Sequence, residues 1–202
     1  MSKKNITIFI IILLCGLLFG VVYYKMRNSN KNYNDVVNKD SKVLVVYYSA
    51  QGHTDNVAKK IASNLNADLF LIEPKEEYTS DDLNYSNSNS RVSREHNDES
   101  LRDVELKSIS VDNWDDYDVV LIGYPIWWGI AAWPVNNFVK GNDFNGKTII
   151  PFCTSASSGL GNSGKNLEAM ANGGNWLEGK RFSSSASDSV IKEWTDSILK
   201  GE

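Results

Sequence analysis

The stretch Lys42–Leu65, KVLVVYYSAQGHTDNVAKKIASNL, decides the architecture. Its opening run, Lys42–Tyr48, is almost continuously apolar, β-branched or aromatic, which suits a central parallel strand covered on both faces. The turn Ser49–Thr54 (SAQGHT) ends that run. From Asp55 onward, Val57, Ala58, Ile61, Ala62 and Leu65 recur at the spacing of one helix face. Working outward, Leu69–Ile72, Asp118–Gly123 (DVVLIG) and Lys147–Cys153 (KTIIPFC) read as further strands. Helical patterns fall near Trp133–Val139, Asn166–Met170 and Asp188–Leu199, and a last strand is expected near Lys180–Ser185 although RFSSS is poor in apolar residues. Strands separated by helices imply an α/β fold: a doubly wound, five-stranded parallel sheet with right-handed crossovers.

The chain has 202 residues, 42% hydrophobic and 23% charged, enough for one domain and an appendage. Lys+Arg 21 against Asp+Glu 25 gives a formal net charge of -4, so the basic footprint that neutralises nucleic-acid phosphates is missing. The two cysteines, Cys15 and Cys153, cannot build a disulfide framework or a CxxC-type metal site. Cys153, ending the fourth strand, is expected to be a buried, inert thiol.

The appendage is N-terminal. Ile6–Tyr24, ITIFIIILLCGLLFGVVYY, carries no charge. As a helix rising about 1.5 Å per residue it covers roughly 28 Å, just enough to span a bilayer. Lys3, Lys4, Lys25 and Arg27 flank it, and Tyr23 and Tyr24 fall where interfacial aromatics lie. Bulky residues after Gly20 argue against a cleaved signal, and Ile12–Leu14 before Cys15 argue against a lipobox. Residues 1–27 therefore read as a single transmembrane anchor in contact with membrane lipid, 28–41 as a flexible polar linker, and 42–202 as the folded domain. We expect that domain to face the extracytoplasmic side.

Between Glu73 and Tyr117 the chain is too long for an ordinary crossover and too polar for a large core. It reads either as a solvated, partly helical excursion or as a segment whose Arg91 or Glu95 turns back over a ligand. His96, within it, is expected to be solvated.

In an open parallel sheet, ligands bind beyond the carboxyl ends of the strands, where the strand order reverses. The first such loop offers the hydroxyls of Ser49 and Thr54, a glycine at Gly52, and the free N–H groups of a helix start, an anion cradle without a lysine. After the third strand, Tyr124–Trp133 (YPIWWGIAAW) packs three tryptophans and a tyrosine into a segment that Pro125 and Gly129 mark as a loop, as a flat aromatic ligand would require. After the fourth, Thr154–Gly159 supplies small side chains that could meet the same ligand.

These three segments, VVYYSAQGHT, GYPIWWG and TSASSGLGNS, together resemble the flavodoxin family, in its short-chain branch, from Lys42 to the C-terminus. The resemblance implies strand order 2-1-3-4-5 and noncovalent FMN. It implies that Ser49, Gln51, Gly52, His53 and Thr54 hold the FMN phosphate, that Pro125, Ile126, Trp127, Trp128 and Gly129 meet the isoalloxazine, and that Thr154, Ser155, Ser158 and Gly159 meet the ribityl and ring region. Gln51 stands where the family commonly has Ser or Thr, and His53 where a small or amide residue is common. The implied function is membrane-anchored electron transfer, to a redox partner protein or a small electron acceptor. No catalytic acid, base or nucleophile is assigned, because the flavin carries the redox chemistry.

Three rival classes stand beside this reading. An FMN-dependent NAD(P)H oxidoreductase of quinone-reductase type needs no second dinucleotide fingerprint. A flavin-free binding module would follow if Gln51 and His53 spoil the cradle. An NTPase is suggested by Gly159–Lys165 (GLGNSGK), but Asn166 stands where a P-loop needs the Ser or Thr that binds Mg²⁺.

Overall fold

The computed structural model describes residues 36–38 and 40–199. The proposed anchor and most of the linker lie outside these residues. Among the described residues no helix is long and apolar enough to cross a membrane.

Strand β1 (Val43–Tyr47) is buried along its whole length. Its side chains alternate between two cores: Leu44 and Val46 enter one, Val43, Val45 and Tyr47 the other. Helices on both sides of the sheet explain why this strand reads as a continuous apolar run. On the second face lie α1 (His53–Leu65) and α5 (Asp188–Ile198), burying Val57, Ile61, Ile191 and Ile198 against it. On the first face lies α3 (Pro134–Gly141), with Val135, Phe138 and Val139.

The sheet has seven strands, not five. Strands β2 (Asp68–Leu71), β1, β3 (Val119–Trp127) and β5 (Thr148–Ser155) run parallel in the order β2-β1-β3-β5, which matches the expected order as far as the fourth position. The fifth position is divided between β6 (Asn175–Trp176) and β7 (Lys180–Ser183), both parallel to β5. Its interruption follows from Pro151. The N–H groups of Asn175 and Leu177 donate to the carbonyls of Lys147 and Ile149, at 2.9 Å each. Residue 151 is the next in that alternation and, being proline, has no N–H to return to the neighbouring strand.

The remaining extra strand corrects a second expectation. Tyr124–Trp133 is not a loop: β3 continues through it, pairing Tyr124 with Cys153 and Pro125 with Thr154, and then turns back as β4 (Ile130–Ala131). Trp128 and Gly129, at φ 44° and 80°, form the two-residue turn, the positive-φ geometry that suits the twist of a tight hairpin.

The segment between β2 and β3 is folded against the first core. It is tied by the Pro74–Leu106 bridge and contains α2 (Arg91–Asn97) and two 3-10 turns, Glu99–Arg102 and Trp114–Asp116. Tyr78, Leu83, Val92 and Val104 are buried in that core. The packed region also starts before Lys42: Val37, read from the sequence as linker, is buried, and its N–H donates to the Ile198 carbonyl at 3.0 Å. After β5 comes a short helix, α4 (Ser163–Glu168).

Candidate functional site

The carboxyl ends of β1, β3 and β5 meet at a cleft of about 260 Å³. It lies at the topological switch point, since the chain moves from β1 outward to β2 on one side and to β3 on the other.

The first wall is the turn from β1 into α1. Gly52 sits at φ 81°, a left-handed conformation that a side chain disfavours, and brings the chain round to start the helix without a side-chain cap. The first helical hydrogen bond runs from the Asn56 N–H to the Gly52 carbonyl, so the N–H groups of His53, Thr54 and Asp55 have no partner within the helix. Beside them the Ser49 hydroxyl is shielded from solvent and has no hydrogen-bond partner. A buried polar atom left unpaired costs roughly 1–3 kcal/mol, so this one marks a place for a ligand acceptor. Asp55 is the one carboxylate in the first turn, and it is already committed. It accepts from the Tyr47 hydroxyl and from Lys59 Nζ, each at 2.8 Å. Partial burial pushes its pKa up, but those two bonds outweigh it and hold the carboxyl below its usual value.

Thr54 links this wall to the third one: its Oγ1 lies 2.8 Å from Thr154 Oγ1, and both residues are buried. Beyond Thr154 the loop is drawn tight. The Ser155 hydroxyl donates to the Ser158 carbonyl, while Arg181 on β7 donates from Nε to Ser155 Oγ at 3.0 Å and from Nη2 to the Ser155 and Ala156 carbonyls at 2.8 and 2.9 Å. Cys153, a free and buried thiol just before this loop, has its pKa pushed up to about 12 by burial, with Arg181 pulling weakly the other way.

The second wall is the hairpin. Trp127, almost fully buried, packs edge-on against Tyr48, Tyr78 and Trp133, with ring centroids 5.7, 5.0 and 5.3 Å away. Trp128 points elsewhere. It is 38% exposed, stacks on the His96 ring at 4.4 Å and 11°, and meets Tyr85 at 4.6 Å. A bulky residue at positive φ is strained by of order 1–3 kcal/mol, and these two aromatic neighbours hold it there.

Of the residues implicated by sequence, Ser49, Gln51, His53, Thr54, Pro125, Ile126, Trp127, Thr154 and Ser155 line the cleft. Gly52, Trp128, Gly129, Ser158 and Gly159 do not. Gly52 shapes the turn without lining the cleft, Trp128 and Gly129 form the hairpin tip, and the internal bond from Ser155 closes the third loop before Ser158. His96, expected to be solvated, is only partly exposed, with one ring face stacked on Trp128. Arg91 and Glu95 do turn back, but under the aromatic wall rather than over the cleft. Sequence reasoning missed Leu83 and Tyr85 from the long excursion and Ser184 after β7. An apolar residue and an aromatic within the polar run SDDLNYSNS were the available signal. Burial pushes the Tyr85 phenol up to about 12, so it is neutral across the physiological range.

Among the described residues that line the cleft, none is Lys, Arg, Asp or Glu. The site is thus a partly aromatic slot lined by His53 and uncharged side chains, with a helix N-terminus and an unpaired hydroxyl at one end, suited to a planar molecule bearing an anionic group.

Comparison with known proteins agrees with this geometry. A structure of a provisionally assigned flavoprotein from Bacteroides eggerthii is 42% identical, with a TM-score of 0.70 over 78% of this chain and 98% of that one. A second such protein, from Bacteroides uniformis, is 37% identical with a TM-score of 0.70, covering 78% and 99% of the two chains. A Lactobacillus acidophilus flavoprotein solved in complex with FMN shares the fold at 22% identity and a TM-score of 0.55, covering 77% and 99%. The family model described as Flavodoxin matches residues 42–198, and with it the chain belongs to the flavodoxin family.

Proposed function

We propose that the domain binds FMN noncovalently in this cleft and serves as a membrane-tethered electron-transfer flavoprotein. The observation that carries the reading is the unpaired, solvent-shielded Ser49 hydroxyl beside the open N-terminus of α1. The donor set fits a phosphate monoester: Ser49 and Thr54 supply hydroxyls, and the first turn of α1 supplies N–H groups and the positive end of its dipole. Ile126, Trp127 and Tyr85 supply apolar and aromatic surface for a planar ring and keep water from it. FMN, when bound, supplies one- and two-electron chemistry.

The residues themselves move no proton in this reading. Tyr85 stays protonated, and Cys153 stays a thiol at neutral pH. A cleft lining without lysine or arginine leaves the phosphate charge incompletely offset, which disfavours adding negative charge nearby and lowers the potential of the bound cofactor. The same lack of lysine and arginine gives the phosphates of a nicotinamide dinucleotide little to bind, which favours the carrier over the NAD(P)H oxidoreductase.

The test is an FMN titration of residues 36–202 followed by flavin fluorescence, with anaerobic mixing of the loaded protein with NADPH. Tight quenching with resolved flavin bands and no bleaching by NADPH is expected. No binding at micromolar FMN would return the domain to the flavin-free class, and rapid bleaching would make it the oxidoreductase. The tether is a separate part of the proposal, supported by the uncharged run Ile6–Tyr24. The full chain should resist alkaline carbonate extraction from membranes, and protease should reach the domain from the extracytoplasmic side.

A further inference from the structure

We infer that Glu95 is a positioning residue for the cleft: one buried carboxylate, supplied by the excursion between β2 and β3, that sets the aromatic wall. The inference rests on the FMN reading above. Glu95 is 4% exposed and touches none of the cleft surface. Its Oε2 accepts from the Tyr78 hydroxyl and from Trp133 Nε1, each at 2.7 Å. Its Oε1 accepts from Arg91 Nε at 2.8 Å, and that guanidinium lies 3.9 Å from the centre of the Tyr78 ring. Arg102 closes the arrangement by donating to the Glu95 and His96 carbonyls at 2.8 and 2.6 Å, with its guanidinium over Trp133.

Tyr78 and Trp133 are two of the three rings that pack edge-on against Trp127, which forms the cleft wall. The last torsion of an aromatic side chain is soft, so apolar contact alone would leave these rings loosely oriented. Binding both polar edges to one oxygen fixes both rings together, and Trp127 between them has one place to sit. A core needing only volume would be better served by an apolar residue, since desolvating a carboxylate and a guanidinium is costly. What the buried charge adds is geometry at the cleft. The same helix also carries His96, the stacking partner of Trp128, so α2 holds both tryptophans of the hairpin.

The test compares wild type, Glu95→Gln, Tyr78→Phe and the double variant by FMN titration, by the visible spectrum of the bound flavin, and by urea unfolding of the apoprotein. Glu95→Gln keeps the volume but turns an amide N–H₂ toward groups that are already donors. We expect its Kd for FMN to rise about tenfold or more and the bound-flavin bands to shift, with a cooperative unfolding transition retained. Tyr78→Phe should move both readouts less, and the double variant should be no worse than Glu95→Gln alone, because the two changes break one unit. Kd values within twofold of wild type with an unshifted spectrum would overturn the inference, as would strictly additive losses. If Glu95→Gln fails to fold, Tyr78→Phe decides alone: an unchanged Kd and spectrum overturns it. Wild-type protein that binds no FMN removes the cofactor reading itself, a result distinct from variants that bind as wild type does.

Discussion

The two facing walls of the cleft are built on opposite principles. In the turn Ser49–Thr54, polar groups are left over: the Ser49 hydroxyl has no partner, and the first N–H groups of α1 have none within the helix. In the hairpin wall around Trp127, the polar edges of two neighbouring rings are paired: Trp133 Nε1 and the Tyr78 hydroxyl both end on Glu95, and the rings interlock edge to face. One wall carries an energetic debt that a ligand can settle, and the other is settled internally and supplies rigidity. The contrast predicts that substitutions in the first wall act chiefly on ligand affinity, and that those in the second act on the shape of the cleft and, where they remove a buried ring, on folding.

The largest effect should come from the settled wall. Trp133 is fully buried and its loss also strips Glu95 of a donor, so Trp133→Ala should cost about 3–5 kcal/mol in urea unfolding of the apoprotein. A cost under 1 kcal/mol would dissolve the contrast. In the unsettled wall, Ser49→Ala should raise the Kd for FMN about tenfold, the loss of one hydrogen bond to a charged group. The same change should leave apoprotein stability equal or higher, because it removes an unsatisfied buried hydroxyl. A destabilised apoprotein would mean that Ser49 has a structural partner after all.

Smaller again is Gly52→Ala, which forces a Cβ into φ 81° and should cost about 1 kcal/mol, read as a shift of the urea midpoint, while also weakening FMN. No heavy atom lies within 4 Å of that Cβ, so the loss is conformational rather than steric. The smallest effect concerns Asp55. Its folded pKa is depressed below the unfolded value near 3.9, so its contribution is present above that pH and fades as pH falls through the folded pKa. Asp55→Asn should therefore be slightly less stable than wild type near pH 7, with the gap closing in acid. A gap constant from pH 7 down to pH 2 would show that the charge is irrelevant.

Much of this arrangement could be read without coordinates. The parallel sheet followed from apolar strands alternating with amphipathic helices, and the first wall followed from a hydroxyl, a glycine and a helix start in six consecutive residues. Such signals are local, so chain order alone carries them. The hairpin was misread because Pro125 and Gly129 are breakers in general, yet here Pro125 sits within β3 and Gly129 completes a two-residue turn. The excursion was harder still. Its polar residues bond mostly to near neighbours, as Thr79 does with Asp82 and Ser100 with Asp98, so the segment shows little periodicity while placing a few apolar side chains in the core.

The sequence by itself therefore determined the α/β class, the loops beyond β1, β3 and β5 that meet at the cleft, and the hydroxyl, glycine and helix start of its first wall. These depend on residue type and on spacing within single elements. Only the tertiary structure decided that the fifth strand splits opposite Pro151, that Trp127 faces the cleft while Trp128 turns to His96, and that Glu95 takes the polar edges of Tyr78 and Trp133, the rings beside Trp127. Each of those depends on contacts between residues far apart in the chain, where the partner that satisfies a buried donor is chosen by packing and leaves no mark in the local pattern.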